Sequence, residues 1–327
     1  MYAAHQQQPW RWIQRGGGVT QSSLTPPPSL AAPHSNRIPP VSPSQNPMPT
    51  PSKLAIIAGG GELPKLLVAA CEQQQRPYLL VAVVGEADNG GQDQWFSALP
   101  HLNLRLGAAA SLLDQLPTAE VQAVVFAGRI NRPSLASLKP DWATAKLAMK
   151  VGLHSLGDDG LLRALAGVLE ERGIAVIGAQ EVLADLLAPA GQLGAHPLPA
   201  DSRADVSKGL AVAHALSPHD VGHAVVVQLG VVLAVEAAEG TDRMLSRINE
   251  LKKPGHPPVL VKLAKTIQDV RLDLPAIGEH TIAIANQVGV NAIVISAGKT
   301  LMIHRDQVIA AADAASIALF GWQDGAL

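Results

Sequence analysis

Two hydrophobic patterns alternate between residues 53 and 178. Short runs of consecutive apolar residues are followed by longer segments in which an apolar residue recurs every third or fourth position. The first pattern predicts buried strands, and the second predicts amphipathic helices that cover a sheet. This alternation favours an α/β domain with a parallel, doubly wound sheet. The predicted strands are 53–58, 78–84, 121–127 and 174–178, and the predicted helices are about 63–75, 134–151 and 161–172.

The first predicted strand leads into three consecutive glycines, Gly59 to Gly61. A strand, a glycine turn and a helix typically open a nucleotide-binding unit, because the turn lets the backbone approach a ligand and the helix N-terminus offers N–H groups to phosphate. Gly60 and Gly61 are therefore candidate substrate-binding residues. Pro64 stands where the G-x-G-x-x-G fingerprint has its third glycine, so tight packing explains the turn equally well.

The strand predicted at 121–127 runs into the polar segment G-R-I-N-R-P-S. Ligands of open parallel sheets bind outside the carboxyl ends of the strands. Asn131 and Arg132 are therefore further candidate substrate contacts. In the later segment G-D-D-G, Asp158 or Asp159 is a candidate N-cap of the helix that follows.

A second pattern of strands and helices begins after residue 185. An apolar hairpin, predicted at 223–228 and 231–236, delivers the segment V-E-A-A-E-G-T-D. Thr241 can cap the next helix and is also a candidate substrate-binding residue, and Glu239 by itself would be a solvated acid. The other predicted strands are 259–263, 291–296 and 300–304, and the predicted helices are about 204–216, 242–251, 281 onward and 305–315.

The densest charge follows the predicted strand at 259–263, where Lys265, Asp269, Arg271 and Asp273 fall within nine residues. If residues 269–273 are extended, side chains two apart share a face, so two carboxylates flank one guanidinium. This arrangement suits a metal and an anion, although a surface ion-pair ladder has the same pattern. With Glu239 and Thr241 at a second strand end, the acids suggest Mg²⁺ and a phosphate ester, because hard cations prefer oxygen ligands. We therefore expect Glu239, Asp269 and Asp273 to converge.

Composition narrows the class of protein. The 25 basic residues against 27 acidic ones give no basic field for nucleic acid, and the single cysteine, Cys71, excludes a disulfide framework. Residues 1–52 hold 11 of the 25 prolines and no acid. We interpret them as a disordered tail or a misassigned start. The predicted domains are 53–184, Rossmann-like with a parallel sheet, and 185–327, a distinct C-terminal α/β domain.

Five segments together resemble the LpxI-type UDP-2,3-diacylglucosamine pyrophosphatases of lipid A biosynthesis in Gram-negative bacteria. The resemblance covers residues 53–327, and it rests on the five segments occurring in the same order as in the family. Thr266 and Leu156 depart from it, since the family usually has proline and a basic residue there. The segments are I-A-G-G-G-E-L-P (57–64), F-A-G-R-I-N-R-P-S (126–134), G-D-D-G-L-L (157–162), V-E-A-A-E-G-T-D (235–242) and A-K-T-I-Q-D-V-R-L-D-L-P-A-I-G (264–278).

The resemblance implies hydrolysis of UDP-2,3-diacylglucosamine to UMP and 2,3-diacylglucosamine 1-phosphate (lipid X), with magnesium required. The essential aspartate of the family's D-L-P motif is Asp273 here. On this reading Asp273 binds Mg²⁺ with Asp269 or Glu239, takes the proton of the attacking water, or does both, and Lys265 and Arg271 balance charge on the phosphoryl oxygens. The resemblance also implies a cytoplasmic enzyme, and allows peripheral contact with the inner membrane and a homodimer.

Two other functions compete with this interpretation. A Rossmann-type NAD(P)-dependent oxidoreductase would have a third glycine and an acid at the end of the second strand. Pro64 occupies the first of these positions, and Glu86 comes late for the second. A non-catalytic nucleotide-sugar-binding protein would leave the charge-dense second domain unexplained.

Overall fold

Two sheets, each flanked by helices, organise the chain. The computed structural model describes residues 52–130, 144, 158–266 and 269–323, all of which belong to one compact unit. The predicted fold class, a parallel-sheet N-terminal domain and a separate C-terminal α/β domain, is confirmed. The predictions for the tail before Ser52, for the helix at 134–151 and for Asn131 and Arg132 fall outside the described residues, apart from Thr144.

The N-terminal sheet has five strands in the order β3-β2-β1-β4-β5, and all its neighbouring strands are parallel. The chain moves outward from β1 to β3 and then returns to the other side of β1. In open parallel sheets a reversal of this kind marks the ligand-binding crevice, which is expected here outside the carboxyl ends of β1 and β4. The strands are β1 (Leu54–Ala58), β2 (Tyr78–Val83), β3 (His101–Leu104), β4 (Ala123–Ala127) and β5 (Ala175–Ile177).

Helices cover both faces of this sheet because its strands are apolar on both sides. Leu54 and Ile56 pack in one core cluster, and the alternating residues Ala55 and Ile57 pack in the other. The helices are α1 (Leu63–Gln73), α2 (Ala109–Thr118), α3 (Asp158–Glu171) and α4 (Ala179–Val182), with 3₁₀ turns at Leu106–Ala108 and Ala184–Leu186.

The C-terminal sheet is mixed, in the order β6-β13-β11-β9-β7-β8. Its three strands β9, β11 and β13 are parallel, whereas β6, β7 and β8 pair antiparallel. A separate pair, β10 and β12, is parallel. The strands are β6 (Gly191–Gln192), β7 (Ala224–Gln228), β8 (Val231–Val235), β9 (Val259–Lys262), β10 (Ala276–Ile277), β11 (Ala292–Ser296), β12 (Leu301–Met302) and β13 (Ala318–Trp322).

One helix packs on the first face of this sheet through Val206 and Leu210, and four pack on the second through residues such as Met244 and Ile282. The helices are α5 (Arg203–Leu216), α6 (Thr241–Ser246), α7 (Ile248–Leu251), α8 (Glu279–Gln287) and α9 (Arg305–Ala314), with 3₁₀ turns at Ala200–Ser202 and Ser217–His219. Among the described residues, no helix is long and apolar enough to cross a membrane.

The predicted extended segment 269–273 is wrong. Its backbone turns, since the N–H groups of Leu272 and Asp273 both donate to the Asp269 carbonyl, at 2.9 and 3.3 Å. The Asp269 carboxylate also accepts the backbone N–H of Arg271 at 3.0 Å. An aspartate that bonds its own backbone two residues on favours a turn over a strand.

Candidate functional site

The glycine turn after β1 is joined to the end of β4. The Gly60 N–H donates to the Arg129 carbonyl at 2.8 Å, and the Arg129 N–H donates to the Gly60 carbonyl at 2.9 Å. The N–H of Gly60 is therefore used within the protein. Nothing lies within 4 Å of the position that a Cβ would take at Gly61, so the turn is open there.

The centre of the site is Lys262, the last residue of β9, which is only 7% exposed. Its Nζ donates to Thr241 Oγ1 at 3.0 Å and to the Ala276 carbonyl at 2.8 Å. The Thr241 hydroxyl in turn donates to Glu236 Oε1 at 3.0 Å. Thr241, a predicted substrate contact, is thus a buried link between a lysine and a glutamate.

Burial lowers the pKa of the Lys262 amine below its usual range. The negative charges of Glu236, Asp242 and Asp273 oppose this effect, and the positive charge of Arg129 adds to it. Arg129 belongs to the N-terminal domain and is exposed beside the glycine turn. An arginine of the N-terminal domain and charged groups of the C-terminal domain therefore act on the same lysine.

Asp273 follows β9 in the loop that leads to β10. Its side chain is 48% exposed, and its Oδ2 lies 3.8 Å from His223 Nε2. The other ring nitrogen of His223, Nδ1, is 3.1 Å from the Leu263 carbonyl, which can only accept a hydrogen bond. Nδ1 therefore carries a proton and donates it to this carbonyl.

His223 is itself held by a buried carboxylate. Its backbone N–H donates to Glu236 Oε2 at 3.1 Å, while the other oxygen of Glu236 accepts from Thr241. Glu236 thus links two parts of the site. Its Oε1 accepts from Thr241, which in turn accepts from Lys262, and its Oε2 accepts from the backbone of His223. Buried polar groups satisfied in this way fix the geometry of the side chains around them.

Lys265, predicted to balance phosphoryl charge, contacts a carboxylate of its own domain. Its Nζ lies 2.6 Å from Asp220 Oδ1, and its side chain is only 12% exposed. The hydroxyl of Ser217 accepts the next backbone N–H, that of Thr266, at 2.6 Å. Lys265 and Thr266 therefore bind the 3₁₀ turn at Ser217–His219 and the residue that follows it.

Asp269 and Arg271 form a two-point ion pair. The Asp269 oxygens accept from Nε and Nη2 of Arg271 at 3.0 and 2.7 Å. These hydrogen bonds lower the pKa of Asp269, against the effect of burial. Nη1 of Arg271 also donates to Glu170 Oε1 at 2.6 Å and to the Val176 carbonyl at 3.4 Å. Arg271 therefore binds α3 and β5 of the N-terminal domain.

Glu239 pairs with Arg247 at 2.8 Å and accepts the N–H of Ala237 at 3.2 Å. The expected convergence of Glu239, Asp269 and Asp273 on one cation is therefore wrong. Within the described ranges, no group of three or more histidine, cysteine or acidic side chains could hold a metal ion. The turn at 269–273 separates the side chains that an extended segment would have aligned, and two of the three carboxylates are bound by arginines.

Sequence reasoning missed Lys262, His223, Glu236 and Arg129. Lys262 ends a run of consecutive apolar residues, V-L-V-K, and Arg129 directly follows the glycine after β4. A charged residue at the carboxyl end of a buried strand was the available signal, because this is where ligands of parallel sheets bind. No signal in the sequence marked His223, whose role depends on contacts with segments more than ten residues away.

A cavity of about 600 Å³ lies at the edge of the N-terminal sheet, between β3 and α2. Val81, Leu104 and Leu112 form part of its apolar wall, and Asp88 and Arg105 are among its polar residues. None of its lining residues belongs to the group around Lys262. The cavity is therefore separate from the candidate site.

Both domains match known families. Residues 53–186 match the LpxI N-terminal domain, and residues 189–320 match the LpxI C-terminal domain. The chain is also similar to the UDP-2,3-diacylglucosamine pyrophosphatase LpxI of Caulobacter vibrioides, with 36% identity over 276 residues. This match covers 82% of the chain and 97% of the relative. Since both domains and nearly the whole relative are matched, the chain belongs to the LpxI family.

Proposed function

We propose that this protein hydrolyses the pyrophosphate bond of UDP-2,3-diacylglucosamine in lipid A biosynthesis, releasing UMP and 2,3-diacylglucosamine 1-phosphate (lipid X). The similar Caulobacter protein is named for pyrophosphatase activity on this compound. The observation that carries the proposal is that the charges of Arg129 of one domain and of Asp273 of the other both act on Lys262. Two cations and one half-exposed carboxylate suit a diphosphate that must be bound and attacked by water.

The cations bind the diphosphate in this mechanism. Arg129 offers a planar donor group at the carboxyl end of β4, and the open side of Gly61 lets the phosphates approach the backbone. Lys262 adds a positive charge that is already ordered by Thr241 and Ala276. Charges held in place before the reaction stabilise the developing charge on phosphoryl oxygens without a reorganisation cost.

The carboxylate activates the attacking water. The water oxygen forms a bond to phosphorus, the bond from that phosphorus to the bridging oxygen breaks, and the water loses a proton. Asp273 is half-exposed at the crevice and takes this proton.

The predicted centre of three carboxylates for Mg²⁺ does not fit the described residues, because Asp269 and Glu239 are paired with arginines. We propose instead that a magnesium requirement enters with the substrate, since Mg²⁺ is commonly bound by one or two carboxylates together with substrate phosphates. Of the three predicted ligands, Asp273 is the one at the crevice.

The direct test is to incubate the purified protein with UDP-2,3-diacylglucosamine and Mg²⁺, with and without a chelator. We expect UMP and lipid X in equal amounts, and a loss of both when Mg²⁺ is chelated. Release of UDP would show cleavage of the sugar–phosphate bond and contradict the proposal. Binding without any product would favour a nucleotide-sugar-binding protein. An NAD(P) titration followed by fluorescence tests the oxidoreductase alternative.

We also propose that the enzyme works in the cytoplasm, at the surface of the inner membrane, because its substrate carries two acyl chains. Cell fractionation at low and high salt tests the location. Sedimentation of the purified protein tests the expected homodimer.

A further inference from the structure

The loop that carries Asp273 belongs to the C-terminal domain in sequence but packs on the N-terminal domain. We call residues 269–275 the anchoring loop. Leu272 is 6% exposed and joins the core cluster that contains Leu169 and Val176. Leu274 is 9% exposed and joins the cluster that contains Leu67. Asp273 is therefore placed between two leucines that are buried in two different cores of the N-terminal domain.

Polar contacts tie the same loop to the same domain. The Arg271 guanidinium contacts Glu170 at 2.6 Å and the Val176 carbonyl at 3.4 Å, while Asp269 holds its other edge. The Gln180 side chain donates to the Val270 carbonyl at 3.2 Å. An arginine bound at two edges by carboxylates has a fixed plane and a fixed distance from each partner. The turn at the start of the anchoring loop is thus held by Asp269 within the loop and by Glu170 of α3.

We propose that Glu170, Arg271 and Asp269 form a positioning clamp for Asp273, an inference that rests on the proposed function of the site. Arg271 acts through the loop, because its guanidinium is engaged by Asp269, Glu170 and the backbone of β5. The clamp makes the position of a C-terminal carboxylate depend on the N-terminal domain. A displacement of the loop would move Asp273 away from His223 and Lys262.

The clamp predicts a specific kinetic pattern. Arg271→Gln and Glu170→Gln should lower kcat about tenfold to a hundredfold, since small misplacements of a reacting group have effects of this size, while KM changes little. Arg271→Lys keeps the charge but cannot contact Asp269 and Glu170 through two edges of one planar group. Its kcat should therefore lie between those of Arg271→Gln and the wild type. Arg172→Gln, at an exposed arginine just after the same helix, is the matched control and should leave kcat unchanged.

Hydrogen exchange gives a readout that does not depend on turnover. The N–H groups of Leu272 and Asp273 donate to the Asp269 carbonyl, so both should exchange faster in Arg271→Gln and Glu170→Gln. Both should stay as in the wild type in Arg172→Gln. If the wild type releases no UMP, the proposed function fails while the exchange result still tests the clamp.

Three outcomes would overturn the clamp. Unchanged kcat and unchanged exchange in both variants would show that the contacts are incidental. Lower kcat with unchanged exchange would mean that Arg271 acts on the substrate itself. In an Asp273→Asn background, Arg271→Gln should cause no further loss if it acts through Asp273, whereas a further loss contradicts the clamp. If Arg271→Gln does not fold, Glu170→Gln carries the same test and leaves the Asp269–Arg271 pair intact.

Discussion

Lys262 is the residue on which the charges of the site act together. Its ammonium is desolvated, and three carboxylates and an arginine act on it. A buried charge is retained only where hydrogen bonds and opposite charges offset its desolvation. The contacts with Thr241 and Ala276 supply those bonds. The lysine side chain is therefore held in place before the substrate binds.

Replacing Lys262 with methionine tests its part in binding the phosphoryl charge. We expect Lys262→Met to lower kcat/KM about a hundredfold or more, because loss of one ordered electrostatic group commonly has this effect. UMP release measured at several substrate concentrations gives the value. Lys253→Met, at an exposed lysine, is the control and should behave like the wild type.

Asp273→Ala separates binding from turnover. The variant should still bind the substrate, since Arg129, Lys262 and the glycine turn remain, but lose about a hundredfold or more in kcat. Equilibrium binding of the substrate and single-turnover UMP release measure the two properties. Asp306→Ala, at an exposed aspartate in the first turn of α9, is the control. Near-normal turnover of Asp273→Ala would remove Asp273 from the mechanism.

The lowered pKa of Asp269 should make the stability of the fold depend on pH. Hydrogen bonds from Arg271 lower its pKa in the folded protein, so the folded state favours the ionised form. This stabilisation is present above the unfolded pKa of about 4 and is lost as pH falls through the lower folded value. Wild type should therefore be more stable than Asp269→Asn at pH 7, and the difference should shrink below about pH 4. Urea unfolding at both pH values measures it.

At the scale of elements, the joint between β1 and β4 depends on close approach of two glycine segments. Gly128 has φ +86°, a conformation that favours glycine, and a Cβ there would overlap the carbonyl oxygen of Gly60. The neighbouring atoms are backbone and cannot rotate away. The end of β4 can therefore approach the turn after β1 only with glycine at this position.

Gly128→Ala should destabilise the fold by more than the strain of positive φ alone, which is about 1–3 kcal/mol. Gly173→Ala is a matched control, because Gly173 has φ +77° and nothing within 4 Å of its Cβ position. Chemical denaturation of the two variants isolates the effect of the overlap. If both variants lose the same free energy of unfolding, the close approach at Gly128 does not contribute to the stability.

At the scale of the whole molecule, the two domains share hydrophobic clusters. Leu274 and Leu301, from the C-terminal part of the chain, pack with Leu67 and Ile56 of the N-terminal domain. Shared clusters couple the stability of the two sheets. We therefore expect the described residues to unfold together.

Leu274→Ala tests this coupling. Truncating a buried leucine to alanine typically costs about 2–5 kcal/mol. Calorimetry should show one transition in the wild type and a lower midpoint in the variant. Val270→Ala, at a 42% exposed position of the same loop, is the control and should change the midpoint little. Two separate transitions in the wild type would show that the domains are independent.

The pattern of hydrophobic residues was enough to predict most of the strands and the α/β class. Runs such as L-A-I-I-A and A-V-V-F-A are buried on both faces and leave little choice of structure. The strands β3 and β13 were not predicted, because H-L-N-L is short and half polar and A-L-F-G-W contains a glycine. β3 is the outer strand of its sheet, where burial constrains the sequence less, whereas β13 is largely buried.

The sequence by itself determined which chemical groups this protein has and where buried strands end, since local hydrophobicity and turn residues act over a few positions. It placed Asp273 among the candidate residues and Gly59 to Gly61 at a strand end. Only the tertiary structure decided which charges meet. Arg271 binds Glu170 of the N-terminal domain, and the charges of Arg129 and Asp273 act on Lys262, because these interactions depend on the packing of segments that are distant in the chain.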